Sequence, residues 1–378
     1  MVNKESKKSP ENYSKERKIE ILYNEVKDAF LEDFLNSIDN VEIKNRIEIM
    51  FSKSLVSFNS TYWRVKDKFK YTHRDDWKRY LEHVVWVFQI YTNTFSHVKD
   101  ELKWLDINWN NEDLKSAIQI INNEIDRVLI ALDHDTIEDT DITFEALQQI
   151  HWNEIALSVM LISKPPFVDF INNKDDVSEI DFLREKWILN SKWLLSDKIK
   201  SKLYIEEQWE KLTEVEKILI YKSPNYSISD EERDYLIRYD KIKEKYKKKR
   251  NDFYFKNMKS YESMLEYSKT LNEKYKLWLN NIQLNRVTRN SIYIKISDRI
   301  NNLSDIVIAW AYQPERIERK LQETEEKLYP IAKKLNTKAY QILKEKVKET
   351  RLELKNMINK NTVKLIQNQS VIIKKTIW

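Results

Sequence analysis

Apolar residues recur along most of this chain at the three- and four-residue spacing of a helix that buries one face. Residues 17–38 place Ile19, Leu22, Val26, Phe30, Phe34 and Leu35 on one stripe of an otherwise polar segment. Residues 114–133 (LKSAIQIINNEIDRVLIALD) repeat the pattern and become more apolar towards His134. Asp141 or Thr143 then offers a side-chain oxygen to the free amides of the next helix, FEALQQI. Pro165–Pro166 stops whatever precedes it, because proline lacks an amide donor and restricts its neighbour. Alternating strand patterns with turn pairs are scarce. The prediction is an all-α fold.

The helical segments run through a lead-in (1–50), 51–166, 167–255, 256–340 and a helical tail (341–378); the resemblance set out below implies that 51–166 and 256–340 are two parts of one domain and 167–255 an insertion. The insertion reads as amphipathic helices, such as 179–195 and 205–221, ending in the basic run YDKIKEKYKKKR at 239–250. Two readings stand. It is a solvated excursion, so that excising 171–250 leaves a folded core, since loop length costs stability only logarithmically. Alternatively it is a lid or regulatory element that brings lysines to an anionic substrate.

Composition narrows the class. A hydrophobic content of 41% over 378 residues suits one large domain or a domain with an insertion. No apolar run reaches the ~18 residues of a membrane span, and the charged start, MVNKESKKSPENYSKERK, lacks the apolar core of a signal peptide. The expectation is a protein without a membrane partner. The absence of cysteine removes disulfides and thiolate metal sites and fits the reducing cytoplasm, the expected location. With 66 basic against 61 acidic residues, the net charge of +5 argues against a dedicated nucleic-acid binder.

The chemistry concentrates in ALDHDTIEDTDIT (131–143) and IKISDRINNL (294–303). His134 and Asp135 are adjacent at the end of an apolar helix, and Glu138 and Asp139 follow one turn later. Asp298 is a lone carboxylate inside another apolar run, and His83 lies upstream. Histidine and carboxylate donors from facing helices are what a divalent cation needs. Neighbours such as His134 and Asp135 share it only if the backbone at the helix end turns both inward. Glu138 and Asp139 can accept a proton from water acidified by the cation, or they form an acidic cluster that merely orients the histidine. His73, His97 and His151 belong to no motif and read as ordinary surface or loop histidines.

Four segments, in order, resemble the HD superfamily, and within it the hydrolase domain of the RelA/SpoT alarmone enzymes. RDDWKRYLEH at 74–83 resembles R-x-x-G-x-P-Y-x-x-H, and HDTIEDTDIT is similar to the H-D-x-x-E-D-T segment. KISDRINNL at 295–303 is similar to K-L-A-D-R-x-x-N-L/M, and PERIERKLQETEEKLYPIAKKL at 314–335 resembles the helix that follows the active site. The resemblance implies an HD-domain helical bundle with a long helical insertion, and one divalent cation, usually manganese, on His83, His134, Asp135 and Asp298. It implies proton-transfer roles for Glu138 and Asp139, and a guanine nucleotide alarmone as substrate. Arg74 would stack on the base, Tyr80 shape the pocket and Asn302 face the nucleoside. Lys295 is either solvated or phosphate-facing, and Arg299 holds a structural carboxylate. Arg79 and Val84 replace the family's prolines on either side of this motif's end and reshape the pocket wall. The chain continues too briefly past Asp298 for a synthetase domain, so a hydrolase-only member is expected. The implied reaction is manganese-dependent hydrolysis of the 3′-diphosphate of guanosine tetra- and pentaphosphate. The alternatives are an HD phosphohydrolase of another nucleotide such as NADPH, and an inactive nucleotide- or protein-binding helical regulator. Oligomeric state has no signature in the sequence.

One compositional feature stands apart. At a usual frequency of about 7% the chain would hold roughly 26 glycines; it has none, and 12 tryptophans. Trp77 and Trp152 occupy motif glycines, and Trp109 sits where an Asn-Gly turn is natural. Glycine serves such places by reaching positive φ and by letting backbones approach. One explanation is UGA codons meant as glycine; the other is an AT-rich gene in which tryptophan is genuine. UGG codons at 77, 109 and 152 would sink the first.

Overall fold

The computed structural model describes residues 15–36, 41–68, 80–95, 111–165, 167–190, 194–208, 227–309 and 313–376. The regular elements among them are helical, apart from an isolated antiparallel bridge between Leu189 and Leu195. The first are α1 (Lys15–Leu35), α2 (Val41–Lys68), α3 (Tyr80–Phe95) and α4 (Asn111–Asp133), then the short α5 (Thr136–Asp139), α6 (Phe144–Ile150) and α7 (Asn153–Ile162). The inserted region holds α8 (Lys174–Glu185), α9 (Asp197–Gln208) and α10 (Asp230–Asn257). The chain returns through α11 (Tyr261–Lys274), α12 (Asn281–Ala309), α13 (Pro314–Glu323), α14 (Tyr329–Leu335) and α15 (Thr337–Thr376). None of the helices is long and apolar enough to cross a membrane.

Helix α12 is the axis of the bundle, with α3, α4, α7, α11 and α15 packed around it. It has no single apolar stripe because it is buried on most sides: Val287, Ile292, Ile294, Ile296 and Leu303 all lie in the core. Its buried hydroxyls bond back to their own helix, Thr288 to Leu284 O at 2.8 Å, Ser291 to Val287 O at 2.8 Å and Ser297 to Tyr293 O at 3.1 Å. Each thus has an acceptor within its own helix. Ser291 also donates to Ser158 O on α7 (3.1 Å), so a small side chain lets these two helices cross closely.

Local signals explain several boundaries. Thr143, not Asp141, caps α6 by accepting from Ala146 N at 3.1 Å, while Asp141 pairs with Lys68. Helix α7 ends at Ile162, before Pro165. Ser229 and Glu232 form a complete capping box at the start of α10. A π-turn at Thr324–Leu328 precedes Pro330, whose ring cannot continue a regular ladder. The helix expected over 179–195 is shorter at its end, because α8 stops at Glu185 and the chain reverses through Trp187 at a φ of 60°. The expected helix at 205–221 overlaps the end of α9, and 209–226 lies outside the described residues. Trp152 precedes α7 at a φ of −78°, so positive φ is not what glycine would supply there. Trp77 and Trp109 lie outside the described residues.

The apolar interior forms two clusters. The larger unites α1–α4, α7 and α11–α15. The smaller is built from Phe167, Ile180, Leu183, Ile188, Leu189, Ile199, Tyr235, Tyr239, Ile242 and Tyr246. Every member of the smaller cluster comes from the inserted region, which therefore buries an apolar core of its own.

Behind the axis α4 carries buried polar groups. Tyr91 Oη and Arg127 Nη1 both donate to Glu124 (2.7 and 2.9 Å), and Arg127 Nε donates to Asn290 (2.8 Å). Asp126 is less well served, since among the described residues its buried Oδ1 has no hydrogen-bond partner. Burial and the neighbouring Glu154 push its carboxyl up to about 7. A folded-state value above the unfolded 3.8 stabilises fully below pH 4 and is lost as pH rises through 7. Asp126→Asn removes the buried charge. It is expected to be more stable than the parent at pH 8, on the order of 2–4 kcal/mol in thermal or urea unfolding, with the difference shrinking towards pH 4. An equal effect at both pH values would contradict this.

Candidate metal centre

Helix α4 ends at Asp133, and the next two residues, His134 and Asp135, form a turn before α5 begins. The turn reorients the backbone, with Asp135 at φ −102° and ψ −2°, so two neighbouring side chains reach one point. His134 Nε2 and Asp135 Oδ2 are 3.1 Å apart. Helix α3 brings His83 and α12 brings Asp298 to the same place. His83 Nε2 lies 3.1 Å from His134 Nε2, and 3.3 Å from both Asp135 Oδ2 and Asp298 Oδ1. The remaining histidine–carboxylate distance, His134 Nε2 to Asp298 Oδ1, is 3.9 Å. His83, His134 and Asp298 are buried and form a group that could hold a metal ion; Asp135, partly exposed, lies against both imidazoles.

The geometry suits a cation. Donors held about 2.1 Å from one centre lie about 3.0–3.5 Å apart along the edges of a tetrahedron or octahedron. All the short contacts above fall in that range. The proton positions agree. Ala131 O, 2.8 Å away, can only accept, so His134 Nδ1 carries a proton and Nε2 of the neutral ring turns its lone pair inward. The side-chain amide of Asn301 is 2.6 Å from His83 Nδ1. An amide oxygen turned to the ring would place the proton on His83 Nδ1 and turn the Nε2 lone pair towards His134, Asp135 and Asp298.

One face of α12 organises the rest, since Lys295, Asp298, Asn301 and Asn302 are three or four residues apart. Lys295 Nζ is 3.1 Å from Asp298 Oδ2, and Asn302 Nδ2 donates to Asp298 Oδ1 at 2.5 Å. Burial disfavours the Lys295 charge, but Tyr254, Asp298, Glu138 and Asp135 outweigh it and raise the ammonium above its ordinary value. Burial likewise opposes the charge on Asp298, yet Lys295 and His83 hold the carboxyl well below the usual range.

Glu138 is tied down. Its Oε2 accepts from Lys164 N at 3.1 Å and its Oε1 from Lys164 Nζ at 3.3 Å, with Arg250 Nη2 at 3.7 Å. Burial would raise its carboxyl, but Lys164 and Arg250 lower it below the ordinary value. The Asp139 backbone carbonyl accepts from Lys200 Nζ at 3.2 Å. Because α5 starts a new helix after the turn, Glu138 and Asp139 do not simply continue the face of His134 and Asp135.

Tyr80 is the first residue of α3, and Arg74 and Arg79 lie outside the described residues, as do His73 and His97. Val84 is buried in the core. Arg299 donates to Glu323 Oε1 at 2.6 Å and to Thr324 Oγ1 at 3.1 Å, and so fastens α12 to α13.

His151 lies in the link between α6 and α7, as expected of a loop histidine, but it is buried rather than on the surface. Its Nε2–H donates to Asp133 Oδ2 at 2.9 Å, while Arg64 Nη2 contacts Asp133 Oδ1 and Oδ2 at 2.8 and 2.6 Å and Thr136 Oγ1 donates to Oδ1 at 2.9 Å. Burial would raise the Asp133 carboxyl, but His151 and Arg64 keep it low. This cluster anchors the residue just before the His134–Asp135 turn. Nothing in local spacing links positions 64, 133 and 151. Asn301 was missed in the sequence, although its spacing of three residues from Asp298 puts it on the same helix face.

No family model, curated protein or solved structure matches this chain.

Two outcomes test the centre. His134→Ala or Asp135→Ala is expected to abolish stoichiometric binding of a divalent cation in titration calorimetry, because both charge and geometry are lost. Burial lowers the His134 value but Asp135 and Asp298 raise it to about 9. A cation competes with that proton, so affinity is expected to increase as pH rises from 6 to 9. A pH-independent affinity would contradict the assignment of His134.

Proposed function

We propose that this protein is a manganese-dependent phosphohydrolase that removes the 3′-diphosphate of guanosine tetra- and pentaphosphate. The observation that carries the reading is the meeting of His83, His134, Asp135 and Asp298 at one point, from two helices and a helix-end turn distant in sequence. Burying two imidazoles and two carboxylates together is costly unless a cation or proton compensates them. An idle scaffold gains nothing from that cost. The resemblance of these same segments to the RelA/SpoT hydrolase domain supplies the substrate class.

When bound, a divalent cation supplies Lewis-acid polarisation of phosphoryl oxygen and acidifies nearby water. The chain's own groups do the rest. Glu138 takes the proton of the attacking water, or Asp139 does. Glu138 is close enough for Asp135 and Lys295 to act on its charge. Lys164 and Lys295 lie close enough to repel one another, a pair of cations beside the centre that offsets charge on phosphoryl oxygens. Asn301 and Asn302 orient His83 and Asp298.

The direct test is release of pyrophosphate from guanosine tetraphosphate by the purified protein, with and without manganese. Turnover that depends on the metal is expected. Cleavage of NADPH in place of the tetraphosphate would reassign the substrate, and cleavage of neither would sink the reading. Glu138→Gln is expected to keep the metal and lower kcat by roughly 10²–10⁴-fold, the usual loss for a general base. If Glu138→Gln and Asp139→Asn both leave the rate unchanged, neither carboxylate activates water.

A further inference from the structure

The loop that holds Glu138 is itself held by the inserted unit. Helix α7 ends at Ile162, leaving carbonyls of its last turn and of the following loop without helical donors. Side chains of α10 supply them. Tyr254 Oη donates to Ile162 O at 3.0 Å, Arg250 Nε to Pro165 O at 2.6 Å and Arg250 Nη2 to Lys164 O at 3.5 Å. The same guanidinium lies 3.7 Å from Glu138 Oε1, and Glu138 takes both the amide and the ammonium of Lys164. From α9, Lys200 reaches the Asp139 carbonyl. One planar cation thus spans the two segments, 138 and 164–165, that must keep register with each other.

We propose that Arg250 is a positioning residue, through which the inserted unit fixes the Lys164 loop and the Glu138 carboxylate beside the metal centre. For catalysis this rests on the phosphohydrolase reading, but the mechanical claim does not. Hydrogen exchange in the full-length chain tests it, followed at the peptide containing the Lys164 amide. Arg250→Gln is expected to lose protection there by about tenfold or more while the core helices stay protected; Arg250→Lys restores part of it. Cation affinity is expected to be unchanged, and if the tetraphosphate is a substrate, kcat falls with KM little altered. Unchanged protection at Lys164 in Arg250→Gln overturns the proposal. Should that variant not fold, Arg250→Lys and Tyr254→Phe decide by the same readout, with wild-type protection in both overturning it. Absence of hydrolysis by the wild type would refute the enzymatic reading alone.

A second inference rests on backbone conformation. Among the described residues three non-glycine positions have positive φ, and two are tryptophan: Trp187 and Trp278, each at 60°, with Lys276 at 51°. Trp187 closes α8 in a Schellman turn. Its amide donates to Arg184 O (3.0 Å) and the amide of Ile188 to Leu183 O (3.1 Å), while buried Leu183 and Ile188 both belong to the smaller apolar cluster. That position is where helices place glycine, because a Cβ is penalised in the left-handed region. The indoles gain nothing in return, being 77% exposed at 187 and 86% exposed at 278. The other described tryptophans, Trp63, Trp86 and Trp152, are exposed as well, the reverse of where an indole contributes.

We infer that the natural residue at 187 and 278 is glycine, encoded by UGA. The coding DNA tests this: UGA is expected at both positions, and UGG at either overturns the inference there. Folding gives an independent readout. Trp187→Gly is expected to raise the unfolding midpoint by about 3 °C over both the parent and Trp187→Ala, since alanine keeps the Cβ. Equal midpoints for the glycine and alanine variants overturn it.

Discussion

Two carboxylates and two imidazoles brought within hydrogen-bonding distance inside a helical core create a charge problem that the rest of the bundle is arranged to solve. Asp298 sits in the buried stretch of α12, where an unpaired charge costs several kcal/mol. Lys295, one turn before it, and Asn302, one turn after, each bind one of its oxygens. His83 is oriented by Asn301 and His134 by the carbonyl of Ala131, so the inward-facing nitrogens are fixed by their outward-facing partners. A cation held by this group would complete the balance.

The support extends outward in two directions. Behind the turn, Asp133 is gripped by Arg64 from α2, by His151 and by Thr136, which locks the end of α4 where the chain changes direction. In front, the inserted unit reaches back through Lys200, Arg250 and Tyr254 to the segments that carry Asp139 and Glu138. The inserted region is thus both separate and engaged. It buries its own apolar cluster, yet its polar side chains complete the capping of α7. Excising 171–250 would remove two of these donors, Lys200 and Arg250, and keep Tyr254.

Much of this was legible in the sequence, for definite reasons. Helical spacing of apolar residues reports burial of one face whatever the partner is, so the all-α class and the course of α1 and α4 could be read directly. The adjacency of His134 and Asp135 and the spacing of Lys295, Asp298, Asn301 and Asn302 are local facts, and a helix face turns local spacing into shared direction. The end of α8 was not legible: a tryptophan at the left-handed position conceals the stop that glycine would announce.

The sequence by itself determined the helical class, the residues able to hold a cation and the face of α12 that presents Asp298. The expected donor His83 from α3 does lie beside them, but only the tertiary structure decided that His151 is a buried partner of Asp133 and that Arg250 reaches Glu138 from the inserted unit. These contacts join residues far apart along the chain. Periodicity specifies which side of a helix is buried, but not which helix lies against it; that choice is made by packing of the whole apolar interior.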